Sequence, residues 1–258
     1  AMIDEVEALI PDWASVPGES LEFFLSNGMI EWMDMETLYA NHVQNSFDLN
    51  LINNSKLQLG YDAMSGAGQG VMRRLFPEAT FLHADHNPGF EGQAPEPIDK
   101  NLAEFRELIK IAGDIDLGLA TDGDADRIGL YNSTGKFIDS HHIILLLIQY
   151  LYKVKGYTGK VVTSFSCSSK IAKMCKAYGL EQITTKIGFK YICEYMVSDD
   201  VLVGGEESGG IAIKGHIPER DGIWMGLTLL EFMAKSGKSL DQLIYEVYEV
   251  VVSIAMDL

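Results

Sequence analysis

Three carboxylates and an arginine fall within six consecutive positions of this 258-residue sequence, from Asp122 to Arg127. In an extended chain alternate residues share a face, so Asp122, Asp124 and Asp126 would point the same way. Like charges held this close repel each other, and a divalent cation among their oxygens relieves the repulsion. The spacing therefore predicts a metal-binding loop, with a solvated turn as the alternative.

The kind of metal site follows from the ligand types. An EF-hand is excluded, because that loop needs Gly at its sixth position and Glu at its twelfth, where this sequence has Arg127 and Ser133. Mg²⁺ prefers an incomplete cage of protein oxygens that phosphate or water completes, as in sites of phosphoryl transfer. The run Ile115–Ala120 is predicted to be the strand that brings the loop to the carboxyl end of a sheet, where α/β proteins bind ligands.

A second loop, Gly204–Gly210, contains four glycines around Glu206, Glu207 and Ser208, directly after the apolar run Val201–Val203. Glycine lets the backbone approach a ligand closely. Two carboxylates and a hydroxyl suit the hydroxyls of a neutral polyol better than they suit a phosphate. The P-loop pattern is absent. The segment is predicted to bind a polyol, and an ordinary turn with a helix cap is the alternative.

A third glycine-rich segment, Ser65–Gly70, resembles a dinucleotide-binding fingerprint only in part. Its spacing is G-x-G-x-G, and Val71 stands where the third glycine is needed. The segment follows the run Lys56–Asp62, which alternates like a strand, and precedes a helix-like run. It is predicted to be a tight strand-to-helix turn with a structural role.

Basic residues and histidines give weaker signals. Lys186 precedes Gly188 at a loop-to-helix junction and is the basic residue most suited to meet a ligand. The remaining basic residues of this region are predicted to be surface charges: Lys190, Lys214, His216 and Arg220. Four other histidines show no spacing typical of a metal site: His83, His86, His141 and His142.

The composition is that of a globular protein, with 47% hydrophobic and 22% charged residues. A net charge of -17 argues against nucleic-acid binding, which needs a basic face. The longest apolar run, Ile143–Ile148, is too short to span a bilayer, so no membrane partner is expected. The amino terminus has no signal-peptide pattern, and three cysteines fit no disulfide framework or zinc pattern. A cytoplasmic protein with reduced thiols is expected.

Strand-like and helix-like runs alternate with short loops from Lys56 onward. This pattern predicts an α/β fold of two consecutive α/β/α sandwich domains with mixed, mostly parallel sheets. The first domain would cover residues 1–136, including an N-terminal connecting segment, and the second residues 137–258. Four aromatic residues near the amino terminus are predicted to be core residues: Trp13, Phe23, Phe24 and Trp32.

Both loops resemble those of the α-D-phosphohexomutases, the phosphoglucomutase/phosphomannomutase family. The run Asp122–Arg127 looks like the metal loop of that family, and Gly205–Gly209 looks like its sugar-recognition loop. Further segments match in order and spacing: Asn87–Pro88 with Pro95–Pro97, then Lys186–Lys190 and Gly215–Gly222. The resemblance extends from about Lys56 to Glu249 and covers only the second and third of the four family domains.

The resemblance implies a role for individual residues. Asp122, Asp124 and Asp126 would bind Mg²⁺, and Arg127 would steady a phosphoserine. Gly205, Glu206 and Ser208 would form the sugar site, with Glu206 and Ser208 holding hydroxyls. Lys186 would lie near the transferred phosphate and give acid/base or electrostatic help. Gly210 departs from the pattern, since many relatives carry histidine there.

The resemblance also implies that parts of the enzyme are missing here. The phosphoserine of the first domain and the phosphate-clamping loop of the fourth are not found, and Asp85 stands where the serine of a comparable motif would be. The chain is therefore expected to be an inactive central part of a mutase. That enzyme would convert hexose 1-phosphate and 6-phosphate through a bisphosphorylated intermediate. The alternatives are a phosphoglucosamine mutase and a stand-alone module that binds metal and sugar phosphate.

Overall fold

The computed structural model describes residues 2–11 and 18–253, and the chain divides into one unit of residues 1–35 and another of residues 36–258. The first unit has two six-residue helices, α1 (Met2–Glu7) and α2 (Leu21–Ser26). Ser20 caps α2 by accepting the N–H of Phe23 at 3.2 Å.

The prediction that the N-terminal aromatics are core residues is wrong for two of them. Phe23 is 40% exposed and Trp32 is 78% exposed, while Phe24 is half-buried. Phe23 lies on the six-residue helix α2, which offers too little apolar surface to enclose a ring of that size, and Trp32 lies beyond α2 in a segment without regular structure. Trp13 lies outside the described residues.

The first sheet of the second unit has the strand order β2-β1-β3-β4-β5. Its pairings of β1 with β2 and β3 are parallel, whereas β4 runs antiparallel to both β3 and β5. The strands are β1 (Leu59–Asp62), β2 (Thr80–Leu82), β3 (Leu117–Thr121), β4 (Ile128–Asn132) and β5 (Phe137–Ile138). The strand predicted before the acidic loop is confirmed as β3, and β4 is its return strand.

The second sheet has the order β7-β6-β8-β9, with β6 parallel to both β7 and β8 and β9 antiparallel to β8. Its strands are β6 (Lys160–Ser164), β7 (Gln182–Thr185), β8 (Val201–Gly205) and β9 (Ile211–Ile213). The predicted fold, two α/β/α layers with mixed, mostly parallel sheets, is confirmed. The division into domains at residues 136 and 137 stays a prediction.

Helices cover the sheets on both faces, as βαβ connections require. They are α3 (Met35–Ser46), α4 (Leu49–Asn54), α5 (Gln69–Leu75), α6 (Ala103–Ala112), α7 (Ser140–Gln149), α8 (Lys170–Tyr178), α9 (Phe189–Ser198), α10 (Gly222–Ser236) and α11 (Leu240–Ser253). A π-helical turn, Tyr150–Val154, continues α7. None of the described helices has the length and apolar character that a bilayer crossing requires.

Helix α10 connects the two sheets. It packs against β3 and β4 of the first sheet, β9 of the second, and the helices α4 and α7. Its approach to β3 is close, because a Cβ placed on Gly226 would stand 2.5 Å from Cδ2 of Leu119. The strand that carries the acidic loop therefore rests directly on α10.

Asp139 caps α7, and this cap gives a pH-dependent prediction. Its carboxylate accepts the backbone N–H of His142 at 3.0 Å and contacts the His142 ring. Replacing Asp139 by alanine is expected to lower the free energy of unfolding by about 1 kcal/mol at pH 7, measured by urea denaturation. Asp139→Asn is the matched control, because asparagine also caps helices and should retain most of this stability.

The sign of the pH effect follows from the lowered pKa of this carboxyl group. The hydrogen bond from His142 lowers the pKa of Asp139 to about 2. A lowered folded-state pKa adds stability above the unfolded value of about 3.9, and that stability is lost as the pH falls toward 2. The stability difference between the wild type and Asp139→Ala should therefore shrink below pH 4. A difference that is constant from pH 7 to pH 3 would contradict this role of the carboxylate.

Candidate functional site

The loop between β3 and β4 brings the three aspartates together. One carboxylate oxygen from each of Asp122, Asp124 and Asp126 lies within 4.8 Å of the others. Within the described ranges this is the one such cluster of His, Cys, Asp and Glu side chains. Asp122 is buried, Asp126 half-buried and Asp124 exposed, so the cluster opens toward solvent on the side of Asp124. An oxygen-only set of this kind fits a hard divalent cation.

Arg127 holds the buried end of this metal loop. Its backbone N–H donates to Oδ1 of Asp122 at 3.0 Å, and its Nε donates to Oδ2 at 2.5 Å. A guanidinium nitrogen also stands 3.6 Å from the carboxylate of Glu96, in the loop that precedes α6. Arg127 therefore fixes the orientation of the Asp122 carboxylate and remains 28% exposed.

Arg220 is a member of this site that the sequence analysis treated as a surface charge. Its Nη2 lies 2.8 Å from Oδ2 of Asp126, and its guanidinium lies 5.3 Å from the centre of the Phe189 ring. Burial and the charge of Asp122 raise the pKa of Asp126 to about 6, although Arg220 opposes the rise. The raised pKa of Asp126 reflects negative charge that is concentrated in this loop, and a bound cation would neutralise that charge. The sequence offered one signal for this role of Arg220: it directly precedes Asp221, the N-cap residue of α10.

Backbone contacts fix the metal loop from two sides. The N–H of Ala67, in the turn after β1, donates to the carbonyl of Gly123 at 3.0 Å. The N–H of Gly222, at the start of α10, donates to the carbonyl of Ala125 at 2.9 Å. The segment Ser65–Gly70 is confirmed as a strand-to-helix turn, and its role is to support the metal loop.

The predicted sugar loop lies between β8 and β9. Glu206 is buried, and its Oε1 accepts the N–H of Gly188 at 2.7 Å. Ser208 is exposed, whereas Gly205 is a buried residue of β8 that packs against Ile144. Of the three predicted sugar-site residues, Ser208 is therefore open to a ligand by its side chain, Glu206 is engaged at one oxygen, and Gly205 offers backbone atoms.

Glu207 points away from Glu206 and anchors the sugar loop to its neighbours. Its carboxylate accepts hydroxyls from Ser166 and, at 3.2 Å, from Ser164, both after β6 or at its end. Its carbonyl accepts the hydroxyl of Ser140, in α7. The hydrogen bond from Ser166 lowers the pKa of Glu207 despite partial burial. The two adjacent glutamates of this loop thus have different partners.

Lys186 lies in the loop between β7 and α9 and is exposed. Its Nζ is 5.8 Å from the centre of the Tyr191 ring, and that of Lys190 is 5.0 Å from the same ring. Because Glu206 binds the N–H of Gly188, this basic loop is tied directly to the sugar loop.

The metal loop and the sugar loop meet through the backbone. The N–H of Ile128 donates to the carbonyl of Gly209 at 3.2 Å, and Arg127 forms a β-bridge with Gly210. The structure therefore joins the two loops that the sequence analysis found separately, at the carboxyl ends of β3 and β8. Open α/β sheets bind their ligands at such ends.

Gly209 gives a test of this junction. It has φ +93°, and an added Cβ would lie 2.8 Å from the carbonyl oxygen of Ile128. Gly209→Ala is expected to lower the free energy of unfolding by about 2–4 kcal/mol, the sum of left-handed strain and a backbone clash. Gly215→Ala is the matched control, since Gly215 has the same φ of +93° and its nearest neighbour, Tyr157, is 4.0 Å away. If urea denaturation shows an equal loss of stability in the two variants, the close approach of Gly209 to Ile128 is contradicted.

Phosphoglucomutase/phosphomannomutase alpha/beta/alpha domain II matches residues 37–135, and domain III of the same family matches residues 139–251. A phosphoglucomutase/phosphomannomutase of Thermococcus kodakarensis is 29% identical over 85% of this chain and 48% of its own length. A phosphoglucosamine mutase of Limosilactobacillus reuteri is 31% identical over 74% of this chain and 43% of its own length.

A solved structure is also similar to this chain. A protein from Thermus thermophilus that was assigned as a phosphomannomutase is 31% identical, with a TM-score of 0.86 over 96% of this chain and 56% of its own. The chain spans about half the length of the curated relatives it matches. It belongs to the phosphoglucomutase/phosphomannomutase family and carries the second and third α/β/α domains of that family.

Proposed function

We propose that this chain supplies the metal-binding and sugar-binding domains of a Mg²⁺-dependent phosphohexomutase, which interconverts the 1-phosphate and 6-phosphate of a hexose. The observation that carries the proposal is the hydrogen bond from Ile128 to Gly209, which joins the carboxylate loop to the Glu206–Ser208 loop. Moving a phosphoryl group between two hydroxyls of one sugar requires a phosphoryl-handling group beside a hydroxyl-binding group. The junction of the two loops supports this arrangement, with the carboxylate loop on one side and the Glu206–Ser208 loop on the other.

The carboxylates of Asp122, Asp124 and Asp126 fit a resident Mg²⁺, because their oxygens lie within 4.8 Å of one another and concentrate negative charge. When bound, Mg²⁺ supplies electrostatic stabilisation of the transferring phosphoryl group. Arg127 fixes Asp122, and Arg220 fixes Asp126, so the protein holds the carboxylates in place before binding. Arg127 keeps an exposed part of its guanidinium that steadies a phosphoserine on the open side of the loop.

The sugar loop orients the substrate. Ser208 donates or accepts a hydrogen bond at a sugar hydroxyl, and the Glu206 oxygen that does not hold Gly188 accepts from another. Gly205 contributes backbone at the edge of this subsite. Lys186 places a positive charge beside the transferred phosphate and gives electrostatic or acid/base help there.

The enzyme also needs the first and fourth domains of the family, which belong to the same full-length polypeptide. The first supplies the phosphoserine, which gives its phosphoryl group to the substrate and regains one through a bisphosphorylated sugar. The fourth binds the substrate phosphate. We infer that residues 1–258 alone are inactive, and that the whole enzyme works on soluble sugar phosphates in the cytoplasm.

The test uses the full-length protein, in which residues 1–258 lie between the first and the fourth domain. With Mg²⁺ and a trace of hexose bisphosphate, it is expected to convert glucose 1-phosphate or mannose 1-phosphate to the 6-phosphate. Glu206→Gln should lower kcat/KM by about 100-fold or more, because it weakens hydroxyl and loop contacts together. Unchanged turnover in this variant would remove Glu206 from the site. Turnover by residues 1–258 alone would contradict the inferred need for the serine.

A second candidate is a phosphoglucosamine mutase, favoured by the 31% identity to the Limosilactobacillus reuteri enzyme of that name. Competition between glucosamine 6-phosphate and glucose 6-phosphate for the same whole enzyme separates the two. Preference for the amino sugar by tenfold or more, about 1.4 kcal/mol, would replace the first proposal with the second.

A further inference from the structure

Asp221, the N-cap residue of α10, lies between two residues that hold the metal loop. On one side of it, Nη2 of Arg220 lies 2.8 Å from the carboxylate of Asp126. On the other side, the N–H of Gly222 donates to the carbonyl of Ala125 at 2.9 Å. The position of Asp221 therefore determines where both of these contacts meet the loop.

The segment around Asp221 fits closely against both loops of the site. A Cβ on Gly222 would stand 2.4 Å from the carbonyl oxygen of Arg127, in the metal loop. A Cβ on Gly210, in the sugar loop, would stand 2.6 Å from Cδ of Arg220. Both distances are shorter than a van der Waals contact, so the backbone of each glycine lies directly against its neighbour. A small displacement of this segment is therefore transmitted to both loops.

Asp221 is itself held from a distant helix. The hydroxyl of Tyr39, in α3, donates to its two carboxylate oxygens at 2.9 and 2.8 Å. Burial and the negative charge of Asp221 raise the pKa of Tyr39 above its ordinary value, so the phenol keeps its proton and acts as the donor. The N–H of Trp224 also donates to this carboxylate, at 2.8 Å, and forms the helix cap.

His216 supplies a further donor, from the loop between β9 and α10. It is not the surface charge that the sequence predicted, because its side chain is 2% exposed and stacks on Trp224 with 3.7 Å between ring centres. Its Nε2 lies 2.9 Å from Oδ2 of Asp221. An ionised carboxylate only accepts hydrogen bonds, so this nitrogen carries the proton. Nδ1 then accepts from Nε2 of His42, in α3, at 3.4 Å.

Helix capping alone does not need so many donors. The caps of α4 and α7, Asp48 and Asp139, remain open to solvent at least in part, whereas Asp221 is 8% exposed. Burying a carboxylate is costly unless several donors satisfy it. The donors from α3 and from the loop before α10 satisfy Asp221 and also fix it in one orientation.

We propose that Tyr39 and His216 are positioning residues of the metal loop, which fix Asp221 and thereby hold Arg220 and the start of α10 against the loop. The result is a higher affinity of the loop for Mg²⁺. This inference rests on the proposed function, because it takes the aspartate loop as the Mg²⁺ site. Residues that orient metal ligands directly commonly change metal affinity by about 10–100-fold. Tyr39 and His216 act one step further away, so smaller effects are expected.

The test is calorimetric titration of the 258-residue chain with Mg²⁺. Tyr39→Phe removes one hydroxyl and is expected to weaken binding about threefold, and His216→Ala should weaken it up to about tenfold. His216→Gln keeps an N–H donor near the place of Nε2 and should bind within about twofold of the wild type. The matched control is Tyr178→Phe, because the buried hydroxyl of Tyr178 has no hydrogen-bond partner within the described part of the chain. It should bind Mg²⁺ as the wild type does.

Two measurements separate positioning from a general loss of stability. Asp139→Ala weakens the cap of α7 and should lower stability without changing the affinity for Mg²⁺. Amide hydrogen exchange without metal should show that the N–H of Gly222 exchanges faster in Tyr39→Phe than in Asp139→Ala, because its contact with Ala125 is loosened. Equal exchange of this amide in the two variants overturns the positioning role, even if His216→Ala fails to fold.

Asp124→Ala distinguishes failure of this inference from failure of the proposed function. If it loses Mg²⁺ binding while Tyr39→Phe and His216→Ala bind as the wild type does, the positioning role is wrong and the aspartate loop remains the metal site. If Asp124→Ala also binds Mg²⁺ as the wild type does, the metal site of the proposed function is wrong, and the inference falls with it.

Discussion

Replacing Asp124 by alanine is expected to weaken Mg²⁺ or Mn²⁺ binding to the isolated chain about tenfold or more, because Mg²⁺ sites depend on very few carboxylates. Asp124 is the exposed member of the cluster, whereas the arginine contacts that hold the loop go to Asp122 and Asp126. Its loss should therefore change metal affinity and leave the fold intact. Calorimetric titration with either ion measures the effect, and urea denaturation without metal confirms that stability is unchanged.

The matched control is Asp85→Ala. Asp85 is also an exposed aspartate, its carboxylate 3.5 Å from Arg73 on the surface, so its removal changes the net charge equally. It should leave the affinity for Mg²⁺ as in the wild type at the same ionic strength. If Asp85→Ala and Asp124→Ala weaken binding equally, the ion responds to overall negative charge, and the loop is not its site.

The sequence was enough to predict the parts of the site that lie next to each other in the chain. Asp122, Asp124 and Asp126 lie together because one short loop carries them, although that loop is a turn and not the extended chain that the spacing argument assumed, and the strand before them follows from its residue pattern. The glycines of the sugar loop were visible for the same reason. The link between Ile128 and Gly209 joins distant segments, and no local pattern encodes it.

Contacts between distant segments also explain what was missed. Arg220 is an ordinary charged residue in sequence, and only the approach of α10 to the metal loop brings it to Asp126. Adjacent Glu206 and Glu207 are alike in the sequence, but the structure gives them different partners, the N–H of Gly188 and the hydroxyls of Ser164 and Ser166.

Helix α10 links the metal loop to both sheets, because its first residue supports the loop and the rest of the helix packs on the sheets. A buried ionic cluster at Glu231 holds it in place. Glu231 is 2% exposed and accepts a hydrogen bond from Tyr150, and its carboxylate lies 2.9 Å from Nζ of Lys155 and 3.3 Å from Nζ of Lys235. Burial alone would raise the pKa of Glu231, but Tyr150 and Lys155 bring it below its ordinary value.

Glu231→Ala is expected to lower the free energy of unfolding by about 3–5 kcal/mol, because it leaves two lysines and a tyrosine hydroxyl without their buried partner. Glu231→Gln should lose less, since an amide oxygen still accepts from Tyr150. The matched control is Glu107→Ala, the same change in an exposed pair with Lys110, which should hardly move the urea midpoint. If both alanine variants unfold at similar urea concentrations, the cluster does not hold α10, and support for the metal loop must come from apolar packing such as Gly226 on Leu119.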